Sequence, residues 1–218
     1  MSKATLTINS RNYGAWSLRG WLLCRFAGLD FDVEVIDSQD PDARAELLLL
    51  SPSFLVPRLQ HDDLVVWDTL AMGEYLHELV PERSLLPSDR VARAKCRSVA
   101  GEIHSGFANL RSALPMNIKA QHPEFPVWAG AQADIDRIES MWNECLAHSG
   151  GPFLFGETRT IADAMYAPVC TRMQTYDVKL GAIASDYRDT ILAMPEMVEW
   201  MAAARSEPED VEELEMEF

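Results

Sequence analysis

The sequence predicts a chain in two parts: an α/β portion with a mixed sheet over residues 1–80, then an all-helical portion over residues 90–218. Short alternating apolar runs, the mark of strands, stop near residue 80, and only helical periodicity follows. Between them, residues 81–89 of VPERSLLPSDR carry two prolines and little periodicity, as a linker does. A third observation fixes the sheet as mixed. Two strand-like runs flank Asp62-Asp63, and so tight a turn makes a hairpin, since a parallel crossover needs about a dozen residues.

Each element follows in order. ATLTI, residues 4–8, alternates as a half-buried strand, and Asn9 to Asn12 supply turn chemistry. From Ser17 to Ala27 the apolar residues Leu18, Trp21, Leu22 and Phe26 form a helical stripe ended by Gly28. FDVEVI alternates as a second strand. A short helix is expected from Asp40-Pro41 to Leu50, with a cap and a first-turn proline. The hairpin comes next, its second strand running from Leu64 to Trp67, and a helix then runs from Thr69 to about Val80. In the second half Val91, Val99, Ile103, Phe107, Leu110 and Leu114 predict one long amphipathic helix, and Ile135, Ile138, Met141, Trp142 and Cys145 another. A third helix starts near Thr160. A fourth runs from about Tyr187 to Arg205, interrupted or restarted at Met194-Pro195.

Composition narrows the functional classes. The formal net charge is −15 and the segment from Glu207 to Phe218 holds seven acids and no base, a balance that repels phosphate backbones and argues against nucleic acid. That segment reads as a solvated end with Phe218 packing back, or else as a docking device. No apolar run approaches the roughly 20 residues of a membrane span, and MSKATLTINS lacks the apolar centre of a secretory signal, so a cytoplasmic protein is expected. Cys24, Cys96, Cys145 and Cys170 have no metal-ligand spacing and read as reduced core residues. No metal is expected.

Two motifs carry chemistry. In SPSFLVPRL, Pro57 stands at a strand start, where it loses a ladder donor and serves for its bend. A cis Val56-Pro57 bond supplies that bend and leaves the Val56 main chain open to an extended peptide, whereas a trans proline at a strand start is the plainer alternative. In WDTLAM, Asp68 and Thr69 open a helix. They act as caps, or they hold an α-amino acid head, with Thr69 at its carboxylate and Asp68 at its ammonium.

Strand, S-x-R-like helix start, V-P before a hairpin, D-T at the next helix and an all-helical half together resemble the cytosolic glutathione transferase family. The likeness covers nearly the whole chain. It implies a thioredoxin-like amino-terminal domain that binds glutathione as co-substrate and a helical domain that builds most of the second-substrate pocket. GETRTIADAMYAPV resembles the family's capping box, with Thr160 to Asp163 starting a buried helix. The resemblance further implies that glutathione binds at Val56 and Pro57, the Val56 main chain pairing with its cysteinyl part, that Asp68 and Thr69 receive its γ-glutamyl end, and that the protein is a homodimer.

The sequence departs from that pattern where a thiol must be activated. A free thiol titrates near pKa 8.5, so a transferase needs a donor beside the sulfur. Serine-type members place a hydroxyl a few residues before the helical arginine, here Arg19, yet Gly14 and Ala15 stand there. The bacterial cysteine-type motif G-A-C-S-L reads here Gly14-Ala15-Trp16-Ser17-Leu18. Ser17, at the helix start, and then Tyr13 are the remaining catalytic candidates, each with a purely structural alternative, capping for Ser17 and packing for Tyr13. Backbone N–H groups of the helix start are a third source. Phe54-Leu55 offers nothing to the glycyl carboxylate, leaving Arg44 or Arg58 for it. His104, Phe107 and Arg111, with Met116, are candidates for the second-substrate pocket. The expected function is addition of the glutathione thiolate to a small hydrophobic electrophile. Alternatives are a glutathione-dependent isomerase and a non-catalytic binding or adaptor protein on the same fold.

Overall fold

The computed structural model describes residues 4–36 and 55–208. Strand β1 (Ala4–Ile8) leads into α1 (Ala15–Ala27), which Gly28 closes in the left-handed conformation at φ 69°. Then come β2 (Phe31–Val35), the hairpin β3 (Arg58–His61) and β4 (Leu64–Trp67), and α2 (Thr69–Leu79). The expected helix over 40–50 lies outside the described residues. The sheet order is β2-β1-β3-β4, with β1 parallel to β2 and antiparallel to β3, and β3 antiparallel to β4. It is the mixed sheet expected. Leu6 of β1 sits opposite Leu59 of β3 in register, and both are fully buried, because the period-2 pattern turns them to one face. Helix α1 packs against α2 and also reaches into the second half.

After a 3₁₀ turn at Pro81–Arg83 all the described elements are helical: α3 (Arg90–Ser105), α4 (Ala108–Ala113), α5 (Ala129–Ser149), α6 (Ile161–Thr175), α7 (Ala182–Leu192) and α8 (Pro195–Arg205). The single long helix expected from Val91 to Leu114 is broken in two. Gly106 is extended and Phe107 takes φ 61°, so the helical hydrogen bonds cannot continue. Periodicity survived the break because Ile103, Phe107, Leu110 and Leu114 are all still buried. The run after Tyr187 is likewise two helices, with Pro195 in the first turn of the second.

Helix α6 is the axis of the helical half and is buried on nearly every side. Its start is fixed by Asp163, which is fully buried and accepts from the N–H of Thr160 (2.7 Å), the N–H of Leu154 (3.1 Å), the Thr160 hydroxyl (2.9 Å) and the Tyr187 hydroxyl (3.0 Å). Burial pushes this carboxyl above its ordinary range, and the four donors pull it back. Asp163→Ala leaves buried donors without partners, at about 1–3 kcal/mol each. A urea titration is expected to give a loss of roughly 3 kcal/mol or more for it, and a smaller loss for Asp163→Asn, which keeps one acceptor.

Candidate functional site

The turn between β1 and α1 is held by close approach. A Cβ on Gly14 would lie 2.2 Å from Asn9 Oδ1 and 2.3 Å from the Ser10 carbonyl, so only glycine fits. Gly14 is the N-cap, and Ser17 therefore falls inside the first turn instead of capping it. Its hydroxyl donates to Asn9 Oδ1 at 2.6 Å and accepts from the Asn9 N–H at 3.1 Å. Ser17 is fully buried and Tyr13 is buried at 7% exposure, and neither lines the cleft described next. The N–H groups of Trp16 and Ser17 have no hydrogen-bond partner among the described residues, as expected where a helix begins.

The cleft has a volume of about 270 Å³ and is lined by Trp16, Leu55, Val56, Pro57, Asp68, Thr69 and His104. The Val56–Pro57 bond is cis, one of the two forms the sequence left open. Pro57 rests on α1 at Gly20, where a Cβ would come within 2.6 and 2.7 Å of the proline ring. On the opposite wall Asp68, at φ 74°, caps α2: Oδ1 accepts from the N–H groups of Leu70 (2.8 Å) and Ala71 (3.2 Å). Thr69 follows it, 1% exposed, and its hydroxyl has no hydrogen-bond partner among the described residues. A buried hydroxyl without a partner costs about 1–3 kcal/mol, and it sits at a helix N-terminus whose dipole favours an anion.

The helical half closes the cleft. His104 Nε2, near the end of α3, lies 3.1 Å from Asp68 Oδ2, which brings this histidine to the cap of α2. The His104 ring also meets Trp16 edge-on, with centroids 5.1 Å apart. Two guanidinium groups flank the same indole, Arg19 at 4.4 Å and Arg111 at 5.0 Å from its centroid. Arg19 is fully buried and donates from Nε to the Met165 carbonyl at 2.9 Å. Arg111 donates to the carbonyls of Ile103, His104 (3.3 Å) and Gly106 (3.2 Å), satisfying the end of α3 that the break leaves open. Arg111 and Phe107 do not line the cleft, and Phe107 and Met116 lie in the core.

Arg58 is buried two residues past Val56, and its Nε and Nη1 have no hydrogen-bond partner among the described residues. Arg44 and Phe54 lie outside them. A larger cavity, about 520 Å³, opens elsewhere between Val91, Ala92, Cys145, Leu154 and Phe155; two of its charged groups, Lys95 and Glu144, pair with each other at 2.6 Å, and a third, Asp89, caps α3. Among the described residues no group of three or more His, Cys, Asp or Glu side chains is placed to hold a metal, and no helix is long and apolar enough to cross a membrane.

Trp16 as a cleft wall, and the contact of His104 with Asp68, are the main features that sequence reasoning did not place. Trp16 read only as a lost cysteine, although Trp16 and Arg19 stand three apart and so share a helix face. Nothing local joined His104 to Asp68.

Comparison with known proteins adds independent findings. Residues 13–79 match the family model of the glutathione S-transferase N-terminal domain, and residues 119–203 that of the C-terminal domain. Glutathione S-transferase 1 of Dianthus caryophyllus is 31% identical over 158 residues, spanning 71% of this chain and 70% of that protein. The maleylacetoacetate isomerase of Rattus norvegicus is 27% identical over 174 residues, 78% of each chain. Among solved structures, a glutathione transferase homologue from Burkholderia GL BGR1 with bound glutathione superposes with a TM-score of 0.72 at 22% identity, covering 95% of this chain and all of that one. At that identity the likeness is one of fold.

The contact at Gly20 is open to test. Alanine improves helix propensity by about 1 kcal/mol over glycine, yet here its methyl meets the Pro57 ring. Gly20→Ala is therefore expected to destabilise by roughly 1–3 kcal/mol in chemical denaturation, the overpacking term exceeding the propensity gain.

Proposed function

The chain belongs to the glutathione transferase family, and from that premise we propose that its cleft binds glutathione and adds the bound thiolate to a small, largely apolar electrophile. One observation carries the reading: the buried Thr69 hydroxyl, without a protein partner, at the helix start facing Val56 and Pro57. A ligand carboxylate satisfies that hydroxyl and the helix N-terminus together. Asp68 receives the ammonium of the γ-glutamyl head on Oδ2, the oxygen not engaged by the cap. Val56 pairs with the cysteinyl main chain as an added strand. Arg58, with two unpartnered buried nitrogens, is our candidate for the glycyl carboxylate.

The thiol is then placed against the start of α1. A free thiol is only a few per cent ionised at neutral pH, and the site must favour the thiolate. We assign that task first to the N–H groups of Trp16 and Ser17 and the dipole behind them, since the Ser17 hydroxyl is engaged by Asn9. Tyr13 is the alternative donor. The sulfur forms a bond to the electrophilic carbon while a leaving group departs with its electron pair, or a proton adds to the neighbouring carbon. Where the sulfur later leaves again, the same site performs an isomerisation, a reading favoured by the name of the rat relative. Trp16, standing in the cysteine position, favours the non-catalytic alternative. We further propose a cytoplasmic homodimer organised as units 1–80 and 90–218, its contact supported by the exposed apolar side chains of Leu64 and Trp67 on edge strand β4 and of Leu79 and Val91.

Thr69→Val keeps the shape and removes the hydroxyl. Calorimetry is expected to show glutathione binding weakened about tenfold, the equivalent of roughly 1.4 kcal/mol, with thermal stability equal to or above that of the parent. Unchanged affinity would remove the γ-glutamyl assignment, and no heat from the parent at millimolar glutathione would remove the function. Measured by turnover and by the ultraviolet absorbance of bound thiolate, Ser17→Ala is expected to change the reaction less than twofold, because its N–H remains. Tyr13→Phe is expected to do the same, and a loss of tenfold or more would transfer the activating role to the phenol.

A further inference from the structure

The loop that leads into α1 is built around a carboxylate from the far end of the chain. Glu207, just past α8, accepts from the Arg11 N–H at 2.7 Å on Oε1, and from the Ser10 hydroxyl at 2.8 Å and the Asn12 N–H at 3.2 Å on Oε2. Because a hydroxyl has a single proton, donating it to Glu207 turns the oxygen lone pairs of Ser10 inward. They accept from the N–H groups of Asn12 (3.0 Å) and Tyr13 (3.2 Å). The Ser10 carbonyl in turn accepts from the Gly14 N–H at 3.0 Å. Two of the three links from Ser10 to the residues before α1, those to Asn12 and Tyr13, thus run through one hydroxyl whose orientation Glu207 sets.

Glu207 is itself held. Its carbonyl and that of Pro208 accept from Lys119 Nζ at 2.9 and 3.0 Å, and the Lys119 N–H donates to Asn12 Oδ1 at 2.9 Å, which returns to the same loop. The Trp200 indole N–H donates to the Arg11 carbonyl at 3.0 Å. Among the described residues the groups that face the carboxylate are donors: two main-chain N–H groups, one hydroxyl, and the Arg11 guanidinium at 3.8 Å. The first acid of the charged segment, expected as part of a solvated end, is folded into the structure.

We infer that Glu207 is a positioning residue for the reaction, fixing through Ser10 the turn that aims the first N–H groups of α1 at the thiol. The inference rests on the proposed glutathione site. An amide cannot replace the carboxylate, since either orientation of glutamine turns an NH₂ group toward main-chain donors.

The test is Glu207→Gln beside Ser10→Ala and the double variant, with Glu199→Gln as control, which breaks the exposed 2.8 Å pair to Arg25 at the other end of α1. Glu207→Gln is expected to lower kcat at least fivefold and diminish the bound-thiolate absorbance, while KM for glutathione moves less than threefold. The double variant should fall within twofold of the worse single one, because both act on one hydroxyl. The control should stay within twofold of the parent. A kcat for Glu207→Gln within twofold of the parent, or equal losses in the control, overturns the inference. Hydrogen exchange at Arg11 to Ala15 reads the loop without glutathione. Should the parent bind no glutathione, the proposed function falls and exchange decides alone: tenfold faster exchange in Glu207→Gln upholds the clamp, and unchanged protection overturns it.

Discussion

Helix α1 lies so close to the turn at Pro57 that residue 20 has no room for a side chain. That contact sets the distance between the two walls of the cleft. Trp16, one turn earlier on α1, takes its position from it, and Val56 is held at the rim by the ring that follows it in the chain. A methyl at Gly20 would force one wall to move. The cleft therefore depends on the packing of a helix against a loop more than on any single polar bond.

The helical half reaches this arrangement by a few directed ties. Arg19 is the deepest: a guanidinium out of water is costly unless its donors and its face are occupied, and here the Met165 carbonyl takes Nε while the Trp16 ring covers one face. The Ile161 N–H, opening α6, donates to the Leu85 carbonyl at 2.8 Å. His104 meets Asp68, and Arg97 holds Glu74 in a two-pronged pair at 2.7 and 2.8 Å. The Arg97–Glu74 pair is half exposed and contributes little to stability. Its effect is orientation, keeping α3 against α2 so that His104 comes to the cleft.

Local rules read well where one neighbour in sequence decides the outcome. The alternation in ATLTI, Gly28 after α1, the tight turn at Asp62-Asp63 and Asp163 three residues after Thr160 each name a conformation that needs no distant partner. The break in the helix after Ser105 was hidden, since the apolar period continues across it and the compensating donor, Arg111, stands beyond the break. Ser17 misled for a related reason. A hydroxyl near a helix start suggests a cap, but the room beside Asn9 and Ser10 admits only glycine, so the cap falls three residues earlier. Glu207 was beyond reach, as nothing in a run of acids singles out the one that enters a loop 197 residues away.

The four cysteines complete the picture of the cleft. All are buried, and loss of water pushes Cys145 up to about 11 and Cys96 to about 12, and raises Cys24 and Cys170 well above the ordinary thiol value. None of them lines the cleft, and burial disfavours the sulfur anion that a mixed disulfide with a thiol ligand would need. Whatever sulfur reactivity its cleft displays must arrive with the guest and depart with it, leaving the polypeptide chemically unmarked between turnovers.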